Sequence, residues 1–196
     1  MIVKPTASDI VPFLEDVFAR RGDDEYLGEP VTMSAHMLQC AQFAEQNNDG
    51  SDVIVAALLH DIGHFIGEFG SFSMDDVEDR FHEESGAKLL QDLFPQLIVD
   101  CVRFHVPAKR YLCKVEPAYF NDLSEASVHS LKLQGGPMTD QEVSVFENNP
   151  HCDAIVKVRR YDDMSKIPEQ VTPSFSHYAP FIQKVVDRHQ RDKAAL

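Results

Sequence analysis

Apolar residues recur three and four positions apart along most of the chain, and this pattern predicts an all-α protein. Between Ile10 and Phe18 they fall on one helical face, after a capping Ser8 and before Gly22. No segment shows the alternation typical of strands. We therefore expect one helical domain spanning residues 1–196. The spacing predicts helices over about residues 8–19, 32–46, 51–64, 81–94, 95–105, 124–133, 139–146, 151–161 and 175–190.

Turn-forming and acidic residues interrupt this pattern at two places. Residues 23–30 are predicted to form a loop, and residues 67–79, rich in Gly, Ser and Asp, a mobile surface loop. Pro107 is expected to end the preceding helix near His105. Thr139 and Glu142 have the spacing of a capping box.

Composition narrows the possible partners. The formal net charge of −14 argues against binding to nucleic acid or anionic membranes, which requires clustered Lys and Arg. No apolar run approaches the length of a membrane span. The four cysteines form no CxxC and are interpreted as reduced thiols, two of them in apolar helical patterns. We expect a soluble, cytoplasmic protein that binds neither nucleic acid nor a membrane.

The stretch from Leu58 to His64 carries the first candidate chemistry. It follows an apolar run from Val53 that is typical of a buried helix. His60 and His64 are four residues apart, so on a continuous helix they share a face. Asp61 points about 100° away and could reach a second ion beside one held by His60. Alone, such residues are more often hydrogen-bonded members of a core than metal ligands.

Further histidines and an aspartate at helix ends or inward positions strengthen the hypothesis of a metal site. Mixed nitrogen and oxygen ligands favour iron, manganese or zinc, and the absence of cysteine near these positions argues against a structural zinc site. Taken singly, each residue has another interpretation, as a core histidine, a surface histidine or a solvated carboxylate. Together they suit two ions bridged by a carboxylate: His36, His60, Asp61, His82, His105 and Asp162.

The order of these residues resembles the HD-domain superfamily. Five longer motifs are similar to those of its mixed-valent diiron oxygenases, which cleave carbon–phosphorus bonds, and the similarity covers residues 26–163. They are Glu25–Glu29, Leu59–His64, His105–Leu112, Leu123–Ser127 and Gln134–Met138. This resemblance implies a single HD-domain helical bundle.

The resemblance also implies a role for each site residue. The six candidate ligands would hold two iron ions in the Fe(II)/Fe(III) state, with Asp61 bridging. Tyr26 and Glu29 would form a lid that responds to substrate, with the tyrosine occupying an open iron position until substrate displaces it. His64 would lie just outside the ligands. Lys109, Ser127 and Gln134 would bind the phosphonate, although Lys109 next to Arg110 could also be an exposed lysine.

The implied activity is O2-dependent cleavage of a 1-hydroxyphosphonate to a carboxylate and phosphate. The closer resemblance is to members that convert (R)-1-hydroxy-2-(trimethylammonio)ethylphosphonate to glycine betaine; alternatives are the glycine-forming reaction on the primary amine, a metal-dependent HD phosphohydrolase, and a silent HD module. A trimethylammonium prefers carboxylates and aromatic faces. The sequence offers the acidic segment 23–26 and four candidate aromatic walls: Phe65, Phe69, Phe72 and Tyr161.

Overall fold

The computed structural model describes residues 4–26, 28–66, 78 and 81–195. Helices dominate this part of the chain, which contains no strand, only an isolated bridge between Glu25 and Thr32. The all-α prediction is confirmed. The helices are α1 Ile10–Arg21, α2 Met33–Gln46, α3 Ser51–Leu59, α4 Gly63–Ile66, α5 His82–Leu90, α6 Gln96–Val115, α7 Glu125–Leu133, α8 Asp140–Glu147, α9 Cys152–Met164 and α10 Phe175–Ala194, with a short 3-10 helix at Tyr119–Asp122.

The core is built around α3. Its residues from Ile54 to Leu59 are apolar on every side, and all of them are buried. A helix that is apolar all round needs neighbours on all faces, and α3 packs against α2, α6, α9 and α10. Truncating a side chain such as Leu58 to alanine in this position costs about 2–5 kcal/mol. The His60–Asp61 pair therefore follows directly after a helix whose last six residues are buried.

The predicted continuous helix over residues 51–64 is wrong. It ends at Leu59, and residues 60–62 form a tight turn before α4. Within this turn the backbone N–H groups of Ile62 and His64 bond to residues three positions back. Gly63 packs against α5 so closely that a Cβ would lie 1.8 Å from the carbonyl oxygen of His82. Packing against α5 thus decides the break.

Other helix ends also differ from the prediction, among them the end of α10, which reaches Ala194. α6 continues through Pro107 to Val115, because losing one N–H donor is tolerated in a helix packed on both α5 and α9. α9 extends to Met164 and so includes Asp162. α5 ends at Leu90 rather than Phe94.

Most of the other local signals in the sequence are confirmed, although the predicted cap at Ser8 is wrong. Thr32 and Ser124 cap α2 and α7, and Thr139 forms the predicted capping box with Glu142. Asp9, not Ser8, precedes α1, and its carboxylate accepts from the Thr6 N–H. The described residues of 23–30 are non-helical, as predicted. The predicted loop 67–79 lies outside the described residues apart from Glu78.

Candidate active site

One histidine pair joins α2 to the end of α3. The Nε2 atoms of His36 and His60 lie 3.1 Å apart, and both rings are fully buried. Nδ1 of His36 donates to the Ser165 carbonyl and Nδ1 of His60 to the Ala57 carbonyl, each at 2.8 Å. Because a carbonyl only accepts, Nδ1 carries the proton of each neutral ring, and Nε2 of that form presents a lone pair. Two lone pairs this close repel each other unless a cation lies between them.

A second pair joins the start of α5 to the middle of α6. The Nε2 atoms of His82 and His105 also lie 3.1 Å apart. Nδ1 of His105 donates to the Val102 carbonyl at 2.8 Å, and Nδ1 of His82 lies 3.4 Å from a Glu83 carboxylate oxygen. Burial lowers the pKa of His105 to about 4, which keeps the ring neutral. Neutral imidazole is the form that binds a metal ion.

Asp61 lies between the two pairs. Its Oδ2 is 3.3 Å from Nε2 of His60 and 3.5 Å from Nε2 of His36, while its Oδ1 is 3.2 Å from Nε2 of both His82 and His105. Oδ2 is buried without a hydrogen-bond partner among the described residues. Atoms bonded to one metal ion at about 2.1 Å stand roughly 3 Å apart. The arrangement therefore fits two metal ions bridged by this carboxylate.

Asp162, in the last turn of α9, lies beside the first histidine pair. Its Oδ1 lies 3.5 Å from Nε2 of His36 and 3.9 Å from Nε2 of His60. Its Oδ2 accepts from Nη1 of Arg159 at 2.6 Å. Although burial opposes ionisation, Arg159 holds the pKa of Asp162 well below its usual range. The six predicted ligands thus lie together, and we call them the His/Asp cluster.

A cysteine also lies beside this cluster, which the sequence argument did not anticipate. Cys40 follows His36 by one helical turn, and its sulfur is buried 4.0 Å from Nε2 of His36. The expectation that no cysteine lies nearby is therefore wrong. His36, Cys40 and His60, like Asp61, His64 and His82, are groups able to hold a metal ion.

A cavity opens from the cluster between α6 and α7 and contains a buried lysine. Lys109 is only 3% exposed, so the exposed-lysine interpretation is wrong. Its Nζ donates to the Ser130 hydroxyl at 2.7 Å. Burial, together with the charge of Arg159, lowers the pKa of Lys109 to about 7. The predicted phosphonate ligands Ser127 and Gln134 line the same cavity.

A second cation reaches this cavity from the segment after α9. Nζ of Lys166 donates to the Ser127 hydroxyl at 3.0 Å and to Oε1 of Glu29 at 3.1 Å. The same Glu29 oxygen accepts from the Ser124 hydroxyl at 2.5 Å. The predicted lid residue Glu29 therefore lies at the cavity, bound to Lys166. We call the cavity lined by Glu29, Lys109, Ser127, Gln134 and Lys166 the substrate pocket.

Two rings stack on the histidines of the cluster. The ring of Tyr26 lies 3.9 Å from that of His36 at an interplanar angle of 15°, and the ring of His64 lies 4.0 Å from that of His82. Burial and the nearby Asp61 raise the pKa of Tyr26 well above its usual value. Burial and the neighbouring His82 lower the pKa of His64 well below its own. Both residues line the cavity, adjacent to the proposed ligands.

The candidate aromatic walls do not form around the pocket as far as the structure describes them. Phe65 packs edge-on against Phe18, with ring centroids 5.5 Å apart. The hydroxyl of Tyr161 donates to Asp49 at 2.5 Å, away from the cavity lining. Phe69 and Phe72 lie outside the described residues. Among the described lining residues, Tyr26 supplies the aromatic surface other than histidine.

Sequence reasoning missed Arg159 and Lys166, which lie three residues before and four after Asp162. Spacing along α9 offered a signal for Arg159, since residues three apart share a helical face. Lys166 follows the end of α9, where no periodic rule places a side chain. Arg159 also bonds Asp163 and the Tyr119 hydroxyl, so this cation is held from several sides.

Comparison with known proteins identifies the family of this chain. The HD-domain family model matches residues 33–139. The [1-hydroxy-2-(trimethylamino)ethyl]phosphonate dioxygenase (glycine-betaine-forming) of Leisingera caerulea is 58% identical over 188 residues, 96% of each chain. The chain belongs to the HD-domain phosphonate dioxygenases. A hydroxymethylphosphonate dioxygenase of Gimesia maris is 39% identical over 93% of this chain and 90% of its own length.

Membership in this family accounts for the His/Asp pattern. Histidines and aspartates of the HD domain provide a metal-binding site that the described geometry fits. Both named relatives are dioxygenases, so the phosphohydrolase alternative is not favoured. An uncharacterised protein of Acanthamoeba polyphaga mimivirus is 34% identical over 83% of the chain. None of the helices in the described residues is both long and apolar enough to cross a membrane.

Proposed function

We propose that the chain uses O2 to cleave the carbon–phosphorus bond of (R)-1-hydroxy-2-(trimethylammonio)ethylphosphonate. The products are glycine betaine and phosphate. The overall reaction balances with one O2, because C1 becomes a carboxylate and phosphorus gains the fourth oxygen of phosphate. The observation that carries this proposal is the bridged His/Asp cluster opening onto a pocket with two lysines. The near full-length similarity to a glycine-betaine-forming dioxygenase supports the choice of substrate.

Two iron ions in the Fe(II)/Fe(III) state are the proposed cofactor. His36, His60 and Asp162 would hold one ion, His82 and His105 the other, and Asp61 both. When bound, the iron pair supplies the redox chemistry with O2 that side chains lack. The backbone carbonyls behind His36, His60 and His105 hold the Nδ1 proton of each ring, which fixes the ring orientation and turns Nε2 toward the proposed ions.

The pocket lysines are proposed to bind the phosphonate. Lys109 and Lys166 supply positive charge, and Ser127 and Gln134 supply neutral hydrogen-bond donors. In the described structure Glu29 forms an ion pair with Lys166. A phosphonate that pairs with Lys166 would therefore displace the Glu29 carboxylate. Glu29 and the Tyr26 ring would then face the trimethylammonium, which attracts carboxylates and aromatic faces. Burial of the pocket keeps water away from the reacting carbon.

The test compares substrates under air with purified, iron-loaded protein. We expect higher kcat/KM for the trimethylammonio compound than for 2-amino-1-hydroxyethylphosphonate, following glycine betaine, glycine and phosphate. A preference for the primary amine would overturn the proposed substrate and keep the reaction. Without O2, phosphate release should stop; release that continues anaerobically would overturn the oxidative reaction itself.

A further inference from the structure

Three consecutive residues after α9 connect the His/Asp cluster to the substrate pocket. The carbonyl of Ser165 accepts from Nδ1 of His36 at 2.8 Å. The next side chain, Lys166, donates to Ser127 and Glu29 in the pocket. Ile167 follows directly. We call this stretch the 165–167 segment; its backbone position sets both the His36 ring and the Lys166 cation.

One buried glutamine side chain holds this segment. Gln39 is 1% exposed, its Oε1 accepts from the Ile167 N–H at 3.1 Å, and its Nε2 donates to the Ile167 carbonyl at 2.9 Å. Since a backbone N–H only donates and a carbonyl only accepts, the orientation of the amide is fixed. Because both bonds go from the Gln39 side chain to Ile167, they fix the position and the direction of the Ile167 backbone.

Gln39 and His36 belong to the same helix. They are three residues apart on α2, so the segment is attached to adjacent positions of one rigid element. On its other side, the Ser165 hydroxyl donates to the Tyr161 carbonyl of α9 at 2.6 Å. The segment is thereby held between α2 and α9. A lysine side chain has many rotamers. Because the backbone of the segment is fixed, the Lys166 ammonium samples fewer positions outside the pocket.

We infer that Gln39 is a positioning residue for the reaction. By fixing the backbone of Ile167, Gln39 aims Lys166 at the phosphonate. This inference rests on the proposed function and adds to it a residue outside the pocket lining. Its signature is weaker substrate binding that acts through Lys166.

The central comparison uses two glutamines of α2. Gln39→Met keeps the volume and removes both bonds to Ile167. Gln42→Met is the matched control, because Gln42 bonds farther along the chain, to the Gln170 side chain at 2.7 Å and the Val171 carbonyl at 3.4 Å. We expect Gln39→Met to raise KM for the hydroxyphosphonate by about tenfold with kcat changed less than about threefold. Gln42→Met should leave KM within about twofold of wild type. Equal effects of the two variants would overturn the inference.

A double-mutant cycle separates positioning from general loosening. Lys166→Met should raise KM, and adding Gln39→Met to it should raise KM no further, because the cation to be positioned is gone. Additive effects would overturn the inference. If Gln39→Met does not fold, Gln39→Glu replaces it, keeping the acceptor for the Ile167 N–H and losing the donor. A KM for Gln39→Glu equal to that of wild type would likewise contradict the role.

A binding measurement keeps this test apart from the proposed activity. Inorganic phosphate, which has the charge and oxygens of the phosphonate, is titrated calorimetrically into wild type, Gln39→Met and Gln42→Met at equal metal content. We expect Gln39→Met alone to weaken phosphate binding by about tenfold. Equal affinities would overturn the role of Gln39. A wild type that binds phosphate but turns over no hydroxyphosphonate would instead overturn the proposed function.

Discussion

Arg159 and Asp162 form a buried ion pair in which the arginine takes one carboxylate oxygen and leaves the other for the cluster. Nη1 of Arg159 lies 2.6 Å from Oδ2 of Asp162, while Oδ1 faces His36 and His60. Both side chains are almost fully buried. The pair therefore orients a proposed ligand and compensates its charge.

Replacing Arg159 with methionine should destabilise the protein strongly. Breaking a buried pair leaves an uncompensated carboxylate, which costs about 3–5 kcal/mol. The adjacent Arg160→Met is the control, because the pair of Arg160 with Glu116 is on the surface and contributes less than about 1 kcal/mol. Urea unfolding at equal metal content measures both variants. Equal losses would show that the buried pair does not stabilise the fold.

His82→Ala and His105→Ala should each lower the metal content from two ions per chain to one or fewer. Each removes one nitrogen of the second pair while the backbone stays packed. His177→Ala is the control, since His177 pairs with Glu45 on the surface. Elemental analysis after dialysis gives the ratio. Two ions per chain in either variant would exclude that histidine as a ligand.

Tyr26→Phe should change the absorption and paramagnetic resonance spectra of the resting, iron-loaded enzyme. The stacked ring on His36 is retained, so the phenol oxygen beside the cluster is the group removed. Tyr161→Phe serves as the control because its hydroxyl bonds Asp49. If Tyr26→Phe and wild type give identical spectra before and after substrate addition, the tyrosine is not a ligand.

Substrate binding should weaken as pH rises through 7. The pKa of Lys109 is lowered to about 7, so its ammonium is charged below this pH and neutral above it. Between pH 7 and 8 the charged fraction of Lys109 falls from about one half to about one eleventh, so KM should rise by up to about fivefold. Lys109→Arg stays charged and should flatten this rise. Lys132→Arg, at an exposed position of α7, should keep the wild-type profile; a wild-type KM independent of pH would contradict the role of Lys109.

The sequence alone determined the helices and the identity of the cluster residues. Helix formation depends on contacts within a few residues, so apolar spacing and caps such as Thr32 and Thr139 could be recognised directly. The His and Asp residues stood out because few structural roles need so many imidazoles on apolar helices. The single-domain boundary and the residue roles stay predictions.

Only the tertiary structure decided how these residues meet. The turn after Leu59 depends on the contact of Gly63 with α5, and it places one oxygen of Asp61 toward each histidine pair. Lys166 reaches Glu29 across 137 positions of sequence, a contact that no local pattern encodes. Such contacts arise when separate helices pack into one core, because packing fixes distances between residues that the chain itself leaves free.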